Sequence, residues 1–364
     1  MKVVVGMSGG VDSAVAAYLL KKQGYEVIGL FMKNWDSNIN NDKEGITEDV
    51  CPQELDYRDA KSVCDELCIP LYRVDFIKEY WDDVFKYFLD ELEKGRTPNP
   101  DIMCNKYIKF DLFKKEAKKL GADKIATGHY ARMVDGKLLR GVDSNKDQTY
   151  FLSQVSREQL EDVLFPIGDL TKPEVRKLAE ENHIPVYNKK DSTGICFIGE
   201  RHYQEFVANY LKGKSGDIID VETNKKVGTH KGLMNYTIGQ RRNVGLSGDE
   251  KRHYVCGKDS KKNILYVAYG DDSKYLLSDE ALIEDMNYLS DKRPTEASAK
   301  FRYRSEDIPV NIEYIDDNHI RVKYKDGKAV TPGQACVIYD KEECIMGGII
   351  KQVYKDNKEI WYLK

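Results

Sequence analysis

The opening residues admit few folds. Lys2–Met7 is a short β-branched run that breaks at Ser8-Gly9-Gly10, and Ala14–Gln23 resumes with Val15, Leu19 and Leu20 at helical spacing. Gly24 supplies a C-terminal stop, and Glu26–Lys33 reads as a second buried strand. Strand, tight turn, helix and strand in so short a span form a βαβ unit, which commits the sheet to parallel pairing. The alternation continues with a helix over Gln53–Leu67, a strand over Leu71–Asp75, helices over Ile77–Glu93 and Lys109–Leu120, and a strand over Lys124–Ala131. A hairpin is expected at Asp135-Gly136. Thr171-Lys172-Pro173-Glu174 resembles a capping box with proline in the first turn, opening a helix to about His183.

From about Gly213 the texture changes. Gly- and turn-rich sequence, including Gly239-Gln240-Arg241-Arg242, runs to about Gly270 and reads as a small middle domain. After Ser278 helical periodicity nearly vanishes. Strand-like pieces follow at Ala297–Tyr303, Val310–Tyr314, Ile320–Tyr324, Ala335–Tyr339, Gly347–Val353 and Glu359–Leu363, separated by turn signals such as Asp326-Gly327 and Pro332-Gly333. That pattern predicts a small antiparallel barrel. The expected architecture is α/β: a parallel-sheet N-terminal domain over 1–212, a middle domain over 213–277 and a C-terminal antiparallel β-barrel over 278–364.

No stretch of about 18 apolar residues is present, so no membrane span is expected. The N-terminus lacks the marks of a signal peptide, and eight scattered cysteines are too sparse for a disulfide scaffold. A cytoplasmic location with reduced thiols follows as the expectation. The net charge of −4 does not advertise nucleic-acid binding, so a polyanionic partner needs a local basic face. Thr229–Lys262 offers Lys231, Arg241, Arg242, Lys251, Arg252, Lys258, Lys261 and Lys262 against Asp249, Glu250 and Asp259. The plain alternative is a solvated loop.

Gly6-Met7-Ser8-Gly9-Gly10-Val11-Asp12-Ser13, between first strand and first helix, carries the strongest chemical signal. Glycines let the backbone approach an anion, and the helix N-terminus offers N–H groups and partial positive charge to phosphate. Asp12 is odd against phosphate unless it works through magnesium or orients the loop. The string is neither a Walker A motif nor a dinucleotide fingerprint. It resembles the loop of the ATP pyrophosphatase (PP-loop) superfamily, with its adenine nucleotide alpha hydrolase-like fold. The resemblance implies cleavage of ATP between the α- and β-phosphates and adenylation of an oxygen.

Two cysteine segments add to it. In Thr97-Pro98-Asn99-Pro100-Asp101-Ile102-Met103-Cys104, two prolines and an Asn are expected to bar a helix before Cys104. That would set the thiol at a loop-to-helix junction, outside a dry core, beside Asp101. In Ser192-Thr193-Gly194-Ile195-Cys196, a second cysteine follows a polar turn. One thiol to carry a persulfide and another to resolve it is a division of labour that sulfur transfer requires. Cys64 and Cys68, four apart on a helix, have no second ligand pair and are expected to be core thiols; no metal site is assigned. Trp35 and Trp81 are expected in the core or at its rim.

With GMSGGVDS, TPNPDIMCNKYIKF, ATGHYAR (Ala126–Arg132), KDQTYFL (Lys146–Leu152), STGICFIGER (Ser192–Arg201), YTIGQRR (Tyr236–Arg242) and FRYR (Phe301–Arg304), the chain resembles the bacterial tRNA-specific 2-thiouridylases nearly end to end. The resemblance implies that Gly6, Met7, Ser8, Gly9, Gly10, Val11, Asp12 and Ser13 bind ATP with Mg2+, with Met32 and Gly128 near the adenosine. It implies that Asn99, Pro100 and Asp101 meet the target base, with Cys104 the nucleophile, Cys196 the persulfide carrier and a disulfide between them. It places His129, Lys146, Asp147, Gln148, Tyr303, Arg304 and Gln334 on the tRNA.

The implied reaction adenylates O2 of the wobble uridine in tRNAs for Lys, Glu and Gln. Sulfur from the Cys196 persulfide, loaded by a cysteine desulfurase or a relay protein, then enters at C2, with Asp101 as acid or base. Direct persulfide attack, release of hydrosulfide by Cys104, and an iron–sulfur cluster on Asp101, Cys104 and Cys196 remain open. A small-molecule adenylating synthetase is the runner-up, and it has no use for paired thiols. A non-catalytic RNA-binding or redox-sensing protein would not need an intact pyrophosphatase loop.

Overall fold

A computed structural model describes residues 1–40, 42, 52–191, 203–246 and 252–364. The first sheet is built from β1 (Lys2–Met7), β2 (Glu26–Lys33), β3 (Leu71–Asp75), β4 (Lys124–Ala126) and, further along the chain, β7 (Val163–Leu164). Its order is β3-β2-β1-β4-β7, and every pairing is parallel. A parallel sheet is covered on both faces, which is why its strands read as continuous apolar runs. On β1, Val3 and Val5 enter one core with Ala14, Val15 and Leu20 of helix α1 (Val11–Lys22) and Val63 of α2 (Pro52–Glu66). Val4 faces the opposite core, beneath Phe85, Phe88, Ile108, Phe110 and Phe113. Those residues come from two helical stretches, 77–93 and 100–119, each containing a π-helical section: Trp81–Phe85 and Cys104–Leu112. The strand order reverses direction at β1, so a crevice opens beyond the C-terminal ends of β1 and β4, the usual ligand position in such sheets.

The segment after β4 departs from expectation. The strand stops at Ala126, and β5 (Ala131–Val134) and β6 (Lys137–Arg140) form a separate hairpin. Asp135 and Gly136 turn it at φ +49 and +73, as Asp-Gly favours. The hairpin leaves the parallel sheet and joins the C-terminal barrel, Leu139 pairing with Glu343.

The middle sheet contains β8 (Gly216–Asp220), β9 (Lys226–His230), β10 (His253–Asp259) and β11 (Ile264–Tyr269) in the order β10-β11-β8-β9. The barrel strands are β12 (Leu277–Tyr288), β13 (Glu296–Lys300), β14 (Ile308–Tyr314), β15 (Ile320–Lys328), β16 (Ala335–Asp340) and β17 (Glu343–Lys355). They run antiparallel in the order β12-β15-β14-β13-β16-β17, and β12 pairs again with β17 to close six strands, as the alternation predicted. β12 was not legible, because Asp279, Glu280, Glu284 and Asp285 interrupt its apolar pattern. Three of these acids are matched across strands, Glu280 by Arg321 at 2.8 Å, Glu284 by Lys351 at 2.9 Å and Asp279 by Lys355 at 3.5 Å. Asp326-Gly327 proves a bulge inside β15 rather than a turn between strands: Ser278 faces Gly327 while Glu280 faces Lys323. Trp35 is buried and stacks on the half-buried Trp81 with centroids 6.2 Å apart. Cys64 is a core thiol, but Cys68 is exposed, because it ends α2 in a left-handed turn at φ +47. Among the described residues no helix is long and apolar enough to cross a membrane.

Candidate active site

The Gly6–Ser13 loop lies at the crevice. Gly9 has φ +75, and a Cβ there would fall 2.3 Å from the Asp56 backbone oxygen, so glycine alone lets α2 pack so closely. Gly10 caps α1 in extended conformation and brings no side chain, which leaves the first-turn N–H groups for an anionic ligand. The two serines divide roles. Ser13 is buried; its hydroxyl donates to Gly10 O at 3.0 Å and accepts from Ser8 N at 3.2 Å, so it shapes the loop. Ser8 is exposed, with its hydroxyl 3.1 Å from Ser13 Oγ and accepting from Gly10 N at 3.4 Å.

Gly128, just past β4, seats against α1: a Cβ there would lie 2.7 Å from Ser13 N. Gly6 sits between Met32 and Phe113, whose side-chain carbons approach its Cβ position to 3.6 and 3.5 Å. Met32 and Gly128 thus lie beside the loop.

Asp12 is already engaged. It accepts from Tyr130 Oη at 2.8 Å and from Lys172 Nζ at 2.7 and 2.9 Å. Sequence reasoning missed this network. Lys172 also pairs with Asp191 at 2.8 Å, and Asp191 is joined by Lys146 and Arg176, each at 2.7 Å. Burial raises the Asp191 carboxyl, but hydrogen bonds from Lys146 and Lys172 outweigh it and hold its pKa at about 2. Lys189 donates to Gly9 O at 3.1 Å and pairs with Asp56 and Asp59 at 2.8 and 2.6 Å. The capping box was the visible signal for the Lys172–Glu181 helix, and Thr171 and Glu174 form it. Lys172 itself looked like an ordinary first-turn residue.

The cysteine helix requires a correction. It begins at Pro100, before Cys104, with the proline in the first turn, where its missing N–H is no loss. Cys104 therefore lies inside the helix, at the start of its π-helical section, and is 1% exposed among Ile102, Met103 and Ile108. Pi-helical sections recur at functional sites because they displace side chains from regular spacing. Asn99 and Asp101 are half-buried and Pro100 is buried. The barrel holds the approach to this helix: Thr97 N donates to Pro332 O at 3.1 Å, and Gln334 Nε2 donates to Thr97 O at 2.6 Å. Cys196, and with it any pairing to Cys104, lies outside the described residues.

The remaining candidates fall into two groups. His129, Asp147 and Gln334 are buried. His129 is bonded to Thr127 at 2.8 Å, and burial, helped by Lys109, pushes its pKa well below the ordinary histidine value. Asp147 accepts from Thr149 Oγ1 and Gly141 N at 2.9 and 3.2 Å, and Gln148 accepts from Tyr130 N at 2.9 Å. Lys146, Gln148 and Tyr303 are half-buried and Arg304 is exposed. Tyr303 packs on Phe151 with centroids 4.4 Å apart, and Arg304, at φ +63, lies over the Tyr303 ring at 5.3 Å. In the basic stretch, Lys231, Arg241, Arg242, Arg252, Lys261 and Lys262 are exposed. Lys258 is not part of that face. It is 2% exposed, its ammonium has no hydrogen-bond partner among the described residues, and burial pushes its pKa down to about 7. Lys251 lies outside the described residues.

Residues 1–200 match the family model described as the tRNA methyl transferase HUP domain. Residues 204–269 match its PRC-barrel domain, and 278–350 match the aminomethyltransferase beta-barrel domain. The chain is 55% identical over 366 residues to a tRNA-specific 2-thiouridylase MnmA of Mycoplasmopsis synoviae, covering 99% of this chain and 98% of the relative. It is 52% identical over 372 residues to the protein of the same name from Lysinibacillus sphaericus, covering 100% and 97%.

Proposed function

Since the chain belongs to the family of tRNA-specific 2-thiouridylases, we propose that it converts a tRNA uridine to 2-thiouridine in two stages, adenylation by ATP and then sulfur transfer. The family-model descriptions speak of methyl transfer. The pyrophosphatase loop and the two cysteine segments favour sulfur. The observation that carries the reading is the helix over 100–119, which bears Cys104 near one end and lays Phe113 against Gly6 of the loop near the other. Adenylation site and thiol are thereby mounted on one rigid element.

ATP arrives as its magnesium complex. The magnesium ion is carried on the triphosphate. The first-turn N–H groups of α1 and Ser8 bind the phosphates, with Met32 and Gly128 toward the adenosine. The uridine O2 attacks the α-phosphorus and pyrophosphate leaves. The terminal sulfur of a Cys196 persulfide then attacks C2, and AMP departs with the former O2. Cys104 thiolate attacks the Cys196 sulfur of the resulting C2–S–S–Cys196 adduct, which releases the thiocarbonyl and joins the two cysteines. A dithiol reductant restores both thiols. Asp101, three residues before Cys104, is the acid or base. Asn99 and Pro100 border the target base.

The substrate is the wobble uridine of tRNAs for Lys, Glu and Gln, in the cytoplasm, and the sulfur comes from a cysteine desulfurase or a relay protein. Residues 1–212 carry the chemistry; 213–277 and 278–364 grip the tRNA. His129, Lys146, Asp147, Gln148, Tyr303, Arg304 and Gln334 form the tRNA contact. Exposure supports direct contact for Arg304. The hydrogen bonds of Asp147, Gln148 and Gln334 support a role in shaping the surface they share. The test is to incubate the protein with MgATP, a persulfide donor and unmodified tRNA, then to digest the tRNA and analyse its nucleosides. The expected product is 2-thiouridine with stoichiometric AMP and pyrophosphate. ATP turnover without 2-thiouridine would overturn the reading.

A further inference from the structure

A triphosphate approaching the first turn of α1 meets a carboxylate, because Asp12 is that turn's acidic residue. Left to itself, Asp12 would oppose the helix terminus that favours phosphate. Its surroundings remove the conflict. Lys172 is 8% exposed, and its ammonium is matched by three carboxylate oxygens: Asp12 Oδ1 at 2.7 Å, Asp12 Oδ2 at 2.9 Å and Asp191 Oδ1 at 2.8 Å. Tyr130 adds a hydroxyl to Asp12 at 2.8 Å, with its ring 5.9 Å from the same ammonium. The lysine is fixed at its root as well, since its backbone N–H donates to Asp143 at 2.9 Å. Asp191 is in turn held by Lys146 and Arg176.

We propose that Lys172 is a positioning residue of the nucleotide site: it neutralises Asp12 and holds its carboxylate toward the Lys172–Glu181 helix, so that the first turn of α1 can accept a triphosphate. The inference rests on the reading of this loop as the ATP site. Lys172 acts through Asp12 and does not itself touch phosphate, since all three of its donors are matched. The same ammonium ties the loop to Asp191, five residues before Cys196 in the sequence.

The experiment is calorimetric titration of MgATP into the full chain for the wild type, Lys172→Met, Lys172→Arg and the double variant Lys172→Met/Asp12→Asn. Lys172→Met is expected to bind ATP at least about tenfold more weakly, because an unneutralised carboxylate then faces the phosphates at short range. Lys172→Arg should lose less affinity than Lys172→Met, since it keeps the positive charge beside Asp12. The double variant should recover most of the lost affinity, because the carboxylate that needed neutralising is gone. Wild-type affinity in Lys172→Met overturns the inference. So does a double variant as weak as Lys172→Met, which would mean that the lysine contacts phosphate directly. Where Lys172→Met alone fails to fold, the double variant decides, near-wild-type affinity supporting the inference and a tenfold loss overturning it. A wild type that does not bind ATP removes the reading of the loop and this inference with it, whereas equal binding by wild type and Lys172→Met removes only the inference.

Discussion

The Gly6–Ser13 loop, proposed to bind ATP, and the Arg241-Arg242 turn, proposed to meet tRNA, are built in opposite ways. In the loop, nearly every polar side chain is committed beforehand: Ser13 to Gly10, Asp12 to Lys172 and Tyr130, and Lys189 to the Gly9 carbonyl. In the middle domain, Arg241 and Arg242 are exposed, and among the described residues neither has a salt-bridge partner. The contrast follows from the ligands. A nucleotide whose α-phosphorus must be attacked in line requires donors already in place, because reorganising them during reaction would raise the barrier. A tRNA is a long polyanion, and mobile surface cations suffice for a large part of its affinity by releasing condensed counterions. On the proposed reading, fixed geometry goes with the chemical site and unmatched charge with tRNA docking.

The largest expected effects fall on the committed side. Cys104→Ser should abolish 2-thiouridine formation while labelled sulfur still loads onto Cys196, and Cys196→Ser should fail to load at all. Both should still bind ATP and tRNA. Full thiolation by either variant would remove the two-thiol mechanism. Ser8→Ala should eliminate tRNA-dependent pyrophosphate release with an unchanged circular-dichroism spectrum. Normal release would take the loop out of the ATP site.

Lys258 blurs the contrast and offers a way to sharpen it. It belongs to the basic stretch by sequence, yet it lies buried where Leu363 pairs beside it. Its folded pKa, pushed down to about 7 by burial, lies below its ordinary value, so the protonated unfolded chain gains over the folded one as pH falls from about 10. The penalty is complete below about pH 7 and fades as pH rises. Lys258→Met should therefore raise the melting temperature at neutral pH, with an advantage that shrinks toward pH 10, and should leave tRNA affinity unchanged. A variant destabilised at all pH values would contradict this account of Lys258. Smallest is the docking effect. Arg241→Ala with Arg242→Ala should weaken tRNA binding and reduce the log–log salt slope by about one unit per lost phosphate contact. An unchanged slope would make that turn a solvated surface.

What the sequence disclosed was whatever is local along it. The Gly6–Ser13 loop, the βαβ unit, the Asp135-Gly136 hairpin and the Thr171–Glu174 capping box are each set by neighbouring residues, and each stands in the fold. The barrel was legible from alternation apart from β12, whose acids find partners on other strands, and the expected strand Glu359–Leu363, of which only Glu359 pairs in a strand. Long-range effects stayed hidden. Lys172 and Asp12 are 160 residues apart, and nothing near either one announces the pair. Pro100 could stop or start a helix, and the choice between them decided whether Cys104 sat at a junction or in the core. Lys258 follows a register shift between Val255 and Gly257, which alters the inward and outward alternation of its strand.

The central claim is that the uridine oxygen is adenylated before sulfur replaces it. It is tested most directly by supplying tRNA whose target uridine carries 18O at O2, with MgATP and a persulfide donor, and analysing the released nucleotide by mass spectrometry. The account predicts one 18O atom in AMP for every 2-thiouridine formed and none in pyrophosphate. AMP without the label, in a reaction that still yields 2-thiouridine, would contradict it.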